Sequence, residues 1–195
     1  MHVGIDFDNT LVGYDRLFHR CAVDRGWMAA DQVPSKPAIR ACLQARPDGN
    51  RLWTELQGEV YGLRMREAEL NPGAGGVLLF CRDRGIRVSI VSHKQQYPAL
   101  GPRVDLREAA FSWLDQQGML VYDRYGLRRE DVYFEPDRAS KIARIRQIQC
   151  THFVDDLPEV LGDPSFPDQV RTFCYAGGSA GWDAVTAWIS REPGL

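Results

Sequence analysis

The sequence has no C-x-x-C pair, no block of like charge, no internal repeat, and no apolar run long enough to span a membrane. Each absence removes a class of protein. The five cysteines, Cys21, Cys42, Cys81, Cys150 and Cys174, are odd in number and widely spaced, so neither a disulfide framework nor a zinc site is expected. They read as buried, reduced thiols. Lys and Arg total 24 against 26 Asp and Glu, a formal net charge of -2, and no basic patch stands out. Nucleic acid polymers and anionic membranes are therefore not expected partners. No basic segment followed by an apolar one opens the chain, and a soluble cytoplasmic protein is expected. A chain of 195 residues has room for one substantial core with a small second module, not for two catalytic domains.

What the sequence does contain begins at its first residues. Val3, Ile5 and Phe7 alternate with Gly4, Asp6 and Asp8, and Asn9-Thr10 closes the run, which predicts a short buried strand ending in a turn. Residues two apart on a strand share a face, so Asp6 and Asp8 are expected side by side, about 6 to 7 Å apart. Two close carboxylates near a core repel unless a cation joins them. The same residues also fit plain turn chemistry, with Asp6 a solvated strand end. The pair alone does not choose between these readings.

Helical spacing follows for some sixty residues: Leu17, Phe18, Cys21 and Ala22; then Ile39, Cys42 and Leu43; then Leu52, Leu56, Val60 and Leu63. This predicts a small helical module, residues 14–70, inserted behind the acidic strand and ended by Asn71-Pro72-Gly73. Arg64 and Arg66 near its return are weak candidates for substrate contact against a stronger reading as solvated helix-face residues. Beyond it, predicted helices at 76–84, 105–117, 140–149 and 182–189 alternate with strands at 86–91, 132–134, 151–154 and 170–175. Alternation of this kind predicts an α/β fold: a Rossmann-like parallel sheet with helices on both faces, built from residues 1–13 and 71–195. Ligands in such sheets bind beyond the carboxyl ends of the strands. The polar clusters fall there: Asp6 and Asp8; Ser92, His93 and Lys94; Asp155 and Asp156.

Four of these elements, in this order, resemble the signature of the haloacid dehalogenase-like hydrolase superfamily. They are Asp6-Phe7-Asp8-Asn9-Thr10 as D-x-D-x-T, Ser92 after an apolar strand, Lys141 on a following helix, and Asp155-Asp156 after another apolar strand. The resemblance runs from Val3 to Leu161. Singly, Ser92 reads as a strand-end cap, Lys141 as a solvated lysine and Asp155-Asp156 as an N-cap; their joint placement is what carries the signal.

The resemblance implies a phosphatase-type core with a helical cap after the first motif. Asp6 would be the nucleophile and would form an aspartyl-phosphate; Asp8 would be the general acid and base. Ser92 would hydrogen-bond the phosphoryl group and Lys141 would hold both it and Asp6 by charge, with His93 a further candidate there. Mg2+ would be bound by the Asp6 carboxylate, the Asp8 backbone carbonyl and the Asp155-Asp156 pair, with Asp156 aligning better as direct ligand and Glu159 a lesser contributor. An acid at position 8 points to phosphate esters, because their leaving alkoxide needs a proton whereas a halide does not. The expected substrate is a small phosphorylated metabolite, such as a sugar, nucleotide or organic-acid phosphate. A phosphomutase or other group transfer on the same scaffold is the alternative, and a catalytically silent phosphate-binding module the third reading. His152 reads as a hydrogen-bonded sheet histidine, and His2 and His19 carry no signal.

Overall fold

The structure, a computed structural model, describes residues 1–192. From the N-terminus run β1 (His2–Ile5), β2 (Val12–Gly13), α1 (Asp15–Asp24), α2 (Lys36–Gln44), α3 (Gly49–Gly58), β3 (Glu69–Leu70) and α4 (Ala74–Asp83). After them come β4 (Arg87–His93), α5 (Leu106–Gln116), α6 (Tyr122–Tyr125), β5 (Val132–Glu135) and α7 (Arg138–Gln147). The chain closes with β6 (His152–Asp155), α8 (Pro158–Leu161), β7 (Arg171–Cys174) and α9 (Gly178–Ser190). It divides into two compact units. One holds Met1–Val12, Leu70–Gln95 and the chain from Leu114 on; the other holds Gly13–Glu69 and Gln96–Trp113.

The first unit is built on a five-stranded sheet in the order β5-β4-β1-β6-β7. Every neighbouring pair is parallel. β1 lies at the centre, and all four of its residues are buried, the condition under which a parallel strand reads as an apolar run. Val91, Phe153, Ile142 and Ile145 pack in one core cluster, which seats α7 on one face of the sheet. His152 leaves the opposite face from Phe153, and its ring meets that of Trp188 on α9 edge-on at 5.0 Å. Helices therefore cover both faces. Gly4 allows β1 its central place: a Cβ there would come within 2.5 Å of the Phe153 ring and 2.9 Å of Cys150 Sγ.

Several boundaries differ from the sequence expectation. β1 stops at Ile5, so Asp6 and Asp8 leave from a turn and not from one face of a strand. α6, α8 and the separate β2-β3 ribbon are too short to show a periodicity. The thiols are free, but Cys174 on the edge strand β7 is exposed and Cys42 half-buried, so burial holds only for Cys21, Cys81 and Cys150.

The second unit carries α1, α2 and α3 around an aromatic core. Phe18 stacks on Trp53 at 5.1 Å, and Tyr14 meets Tyr61 edge-on at 5.0 Å. α3 continues into a π-helical turn, Glu59–Leu63. The wider i→i+5 turn rotates the following residues, and Leu63, expected on the inner face, is 57% exposed. Gln96–Trp113 belongs to this unit, although the sequence reading assigned it to the core. Gly58 and Gly62 open the space that the segment fills. A Cβ on Gly58 would stand 2.4 Å from Leu100 O, and one on Gly62 3.2 Å from Leu106. Trp113 Nε1 donates to Ala68 O at 2.9 Å. No helix among the described residues is long and apolar enough to cross a membrane.

Candidate active site

The acidic turn after β1 is built by its own backbone. Asp6 N–H donates to Val154 O at 2.9 Å, which extends the pairing with β6 past the end of the strand. Leu11 and Val12 N–H both donate to Phe7 O at 3.0 Å and close one wide turn, with Asn9 in the left-handed region at φ 64°. Asparagine tolerates that conformation better than most residues. Asn71 staples the turn: its Nδ2 donates to Asn9 O and Thr10 O at 3.1 and 2.7 Å, and its N–H to Leu11 O.

Lys141 enters from the first turn and a half of α7, a helix capped by Asp137, whose carboxylate accepts from Ser140 N–H at 2.7 Å. Its side chain is 1% exposed, and Nζ donates to Asp6 Oδ1 and Asp155 Oδ2 at 2.6 Å each. The solvated-lysine reading is thus excluded. Burial opposes the ammonium charge, but the Asp6 and Asp155 carboxylates outweigh it and leave the Lys141 pKa raised. Asp155 is fully buried, and its Oδ1 accepts from Leu157 N–H at 3.0 Å. Burial, and then the Asp6 charge, push its carboxyl up to about 7 although Lys141 pulls the other way. Asp156 is tied to the acidic turn by Thr10, whose Oγ1 donates to Asp156 Oδ1 at 3.2 Å and accepts from Asp156 N–H at 3.1 Å.

Asp6, Asp155 and Asp156 offer carboxylate oxygens that all lie within 4.8 Å of one another. This all-oxygen donor set suits a hard divalent cation. Burial first and the Asp6 charge second raise the Asp155 pKa, and a cation among these acids would offset both.

Ser92 is buried at the carboxyl end of β4, in register with Phe134 of β5. His93 beside it has an exposed edge, and crowding by the protein followed by the Lys141 charge holds its imidazole below the usual range. The next residue, Lys94, stands in the same strand-end cluster in the sequence but has no role assigned there. Its side chain is 3% exposed and its Nζ lies 2.9 and 2.8 Å from the two carboxylate oxygens of Asp8. The available signal was its place at a strand end, but a lysine there ordinarily reads as solvated. Thr10 and Asn71 were likewise not assigned roles. A separate cleft of about 680 Å³ opens at the amino end of β4, lined by Arg82, Arg87, Tyr122 and Asp131 among others, and contains none of these acids.

The sequence matches no family model and no curated protein. Its fold does have solved relatives. A hydrolase from Streptococcus pneumoniae TIGR4 superposes with a TM-score of 0.57 at 14% identity, over 94% of this chain and 97% of that one. A HAD-superfamily hydrolase from Ehrlichia chaffeensis gives 0.52 at 16% identity, over 97% and 96% of the two chains. A HAD family hydrolase from Deinococcus radiodurans R1, with bound phosphate and sodium, gives 0.52 at 15% identity over 97% and 96%.

The fold is haloacid dehalogenase-like. The end of the sheet that carries Asp6, Ser92 and Asp155 is the carboxyl end of parallel strands, the usual ligand edge of an open α/β sheet.

Proposed function

We propose that the chain is a cytoplasmic, Mg2+-dependent phosphatase that hydrolyses a small phosphorylated metabolite through an aspartyl-phosphate on Asp6. The observation that carries this reading is Lys141 bridging Asp6 and Asp155 with Asp156 within reach, so that a buried carboxylate is presented beside fixed positive charge. The bound phosphate and sodium of the Deinococcus hydrolase support an anion and a cation on this fold.

In this mechanism an Asp6 carboxylate oxygen attacks phosphorus, and the bond to the leaving oxygen breaks. Asp8, which enters this step protonated, gives that oxygen its proton and is left as a carboxylate. Water then attacks the aspartyl-phosphate, Asp8 takes a proton from it, and the P–O bond to Asp6 breaks to release phosphate. Ser92 and Lys141 hold phosphoryl oxygens by hydrogen bond and charge, with His93 at the rim, and Lys141 keeps Asp6 oriented for attack. Asp6, the Asp8 backbone carbonyl and Asp156 would hold Mg2+, with Asp155 fixing Lys141 behind them. The ion, when bound, offsets the repulsion between an anionic nucleophile and an anionic phosphate. The helical segment 14–70, inserted directly behind the nucleophile strand, is read as a mobile lid that excludes bulk water and limits substrates to small molecules.

The test is phosphate release from a panel of phosphorylated sugars, nucleotides and organic acids, plus p-nitrophenyl phosphate, with isomer formation followed in parallel. Phosphate release from wild type and none from a folded Asp6→Asn variant supports the reading. Undiminished release by Asp6→Asn, or isomer formation without release, overturns it.

A further inference from the structure

Lysine is seldom buried without a partner, and Lys94 is 4% exposed overall. Its backbone N–H donates to Glu135 O at 2.7 Å, which carries the β4-β5 pairing one residue past the end of β4 and anchors the main chain. Its Nζ lies over Phe7, 5.4 Å from the ring centroid, and Phe7 is itself held edge-on against Phe134 at 5.3 Å. From this anchored base the ammonium meets both oxygens of Asp8 almost equally, at 2.9 and 2.8 Å. The ammonium sits across the open end of the carboxylate and bonds both oxygens at once, which holds the group in place more firmly than a contact to one oxygen would. Lys141 thus meets Asp6 and Asp155, and Lys94 meets Asp8.

We propose that Lys94 is a positioning residue that holds the Asp8 carboxylate in place to take the proton of the attacking water. The role rests on the phosphatase reading given above, in which Asp8 exchanges protons with the leaving oxygen and the attacking water. Reaction rate is sensitive to displacements of about 1 Å in such a group, so loss of the clamp falls on turnover more than on binding. A purely structural ion pair at the same place would pin the turn after β1 and give a different pattern.

The test compares wild type, Lys94→Met, Lys94→Arg, Asp8→Asn and the Asp8→Asn/Lys94→Met double variant on the best substrate of the panel. Expected are a fall in kcat of about 10²-fold for Lys94→Met with KM nearly unchanged, and recovery of most of that loss in Lys94→Arg, which keeps charge and two-point contact. Because Lys94 acts through Asp8, adding Lys94→Met to Asp8→Asn should cost nothing further. The double variant removes both charges of the pair at once, so it keeps the comparison available where Lys94→Met alone does not fold. A further loss in the Asp8→Asn background, or a Lys94→Met effect confined to KM, overturns the role. A wild type that releases phosphate from nothing in the panel overturns the phosphatase reading, and the Lys94 role falls with it.

Discussion

Lys141 Nζ lies 2.6 Å from Asp6 Oδ1, joining residues 135 positions apart where water is almost excluded. The same ammonium reaches Asp155 at the same distance. Removing it leaves two buried carboxylates without their cation, and breaking a buried pair in this way costs about 3 to 5 kcal/mol. Lys141→Met is expected to lose that much in denaturant unfolding. Because a divalent ion would serve the same acids, part of the loss should return when Mg2+ is added. A variant as stable as wild type would show that Lys141 is not bearing the charge of both acids.

Metal dependence is expected to be strict. Asp6, Asp155 and Asp156 present only oxygen atoms, so a chelator should abolish phosphate release and Mg2+ restore it, with Ca2+ a poor substitute because its looser coordination misplaces the nucleophile. Mg2+ should also raise the unfolding temperature of wild type, and Asp156→Asn should weaken that rise. Full activity in excess EDTA would contradict this.

The helical unit has a test of its own. A Cβ at Gly58 would meet a backbone oxygen, Leu100 O, at 2.4 Å, and a backbone atom cannot swing aside as the end of a side chain does. Gly58→Ala is expected to destabilise this unit by about 1 to 3 kcal/mol and to expose the stretch after Gln96 to limited proteolysis. It also bears on lid deletion. Removing residues 14–70 would strip Gln96–Trp113 of the unit it belongs to, so a shortened lid has to take that segment into account.

His2 predicts a pH dependence. Its Nδ1 donates to Ile148 O at 2.9 Å and its Nε2 lies 2.9 Å from Ser89 Oγ. Burial, and then the Arg87 charge, lower its pKa below the ordinary histidine value of about 6.5. The native state therefore prefers the neutral ring. Above pH about 6.5 neither state is protonated and the contribution is fully present. As pH falls the unfolded chain takes the proton first, so stability is lost from there down through the lowered native value. Urea midpoints measured across this range should fall less steeply for His2→Gln than for wild type.

The parallel α/β architecture was legible in the sequence because buried strands such as 151–154 and helices such as 140–149 carry their periodicity locally. The same is true of the residues at the strand ends: once the strands run parallel, Asp6, Ser92 and Asp155 have to arrive at one edge. What only the tertiary structure decided are the pairings. That Lys141 reaches Asp155 as well as Asp6, that Lys94 meets Asp8, and that Thr10 ties down Asp156 depend on β1 lying between β4 and β6. A buried ammonium and a solvated one look alike in a sequence, and burial separates them only when another strand covers the side chain. The helical unit follows the same rule. Gly58 and Gly62 mark a place where something packs closely, but that Leu100 and Leu106 fill it, more than forty residues on, is settled by packing between distant segments, which no local pattern records.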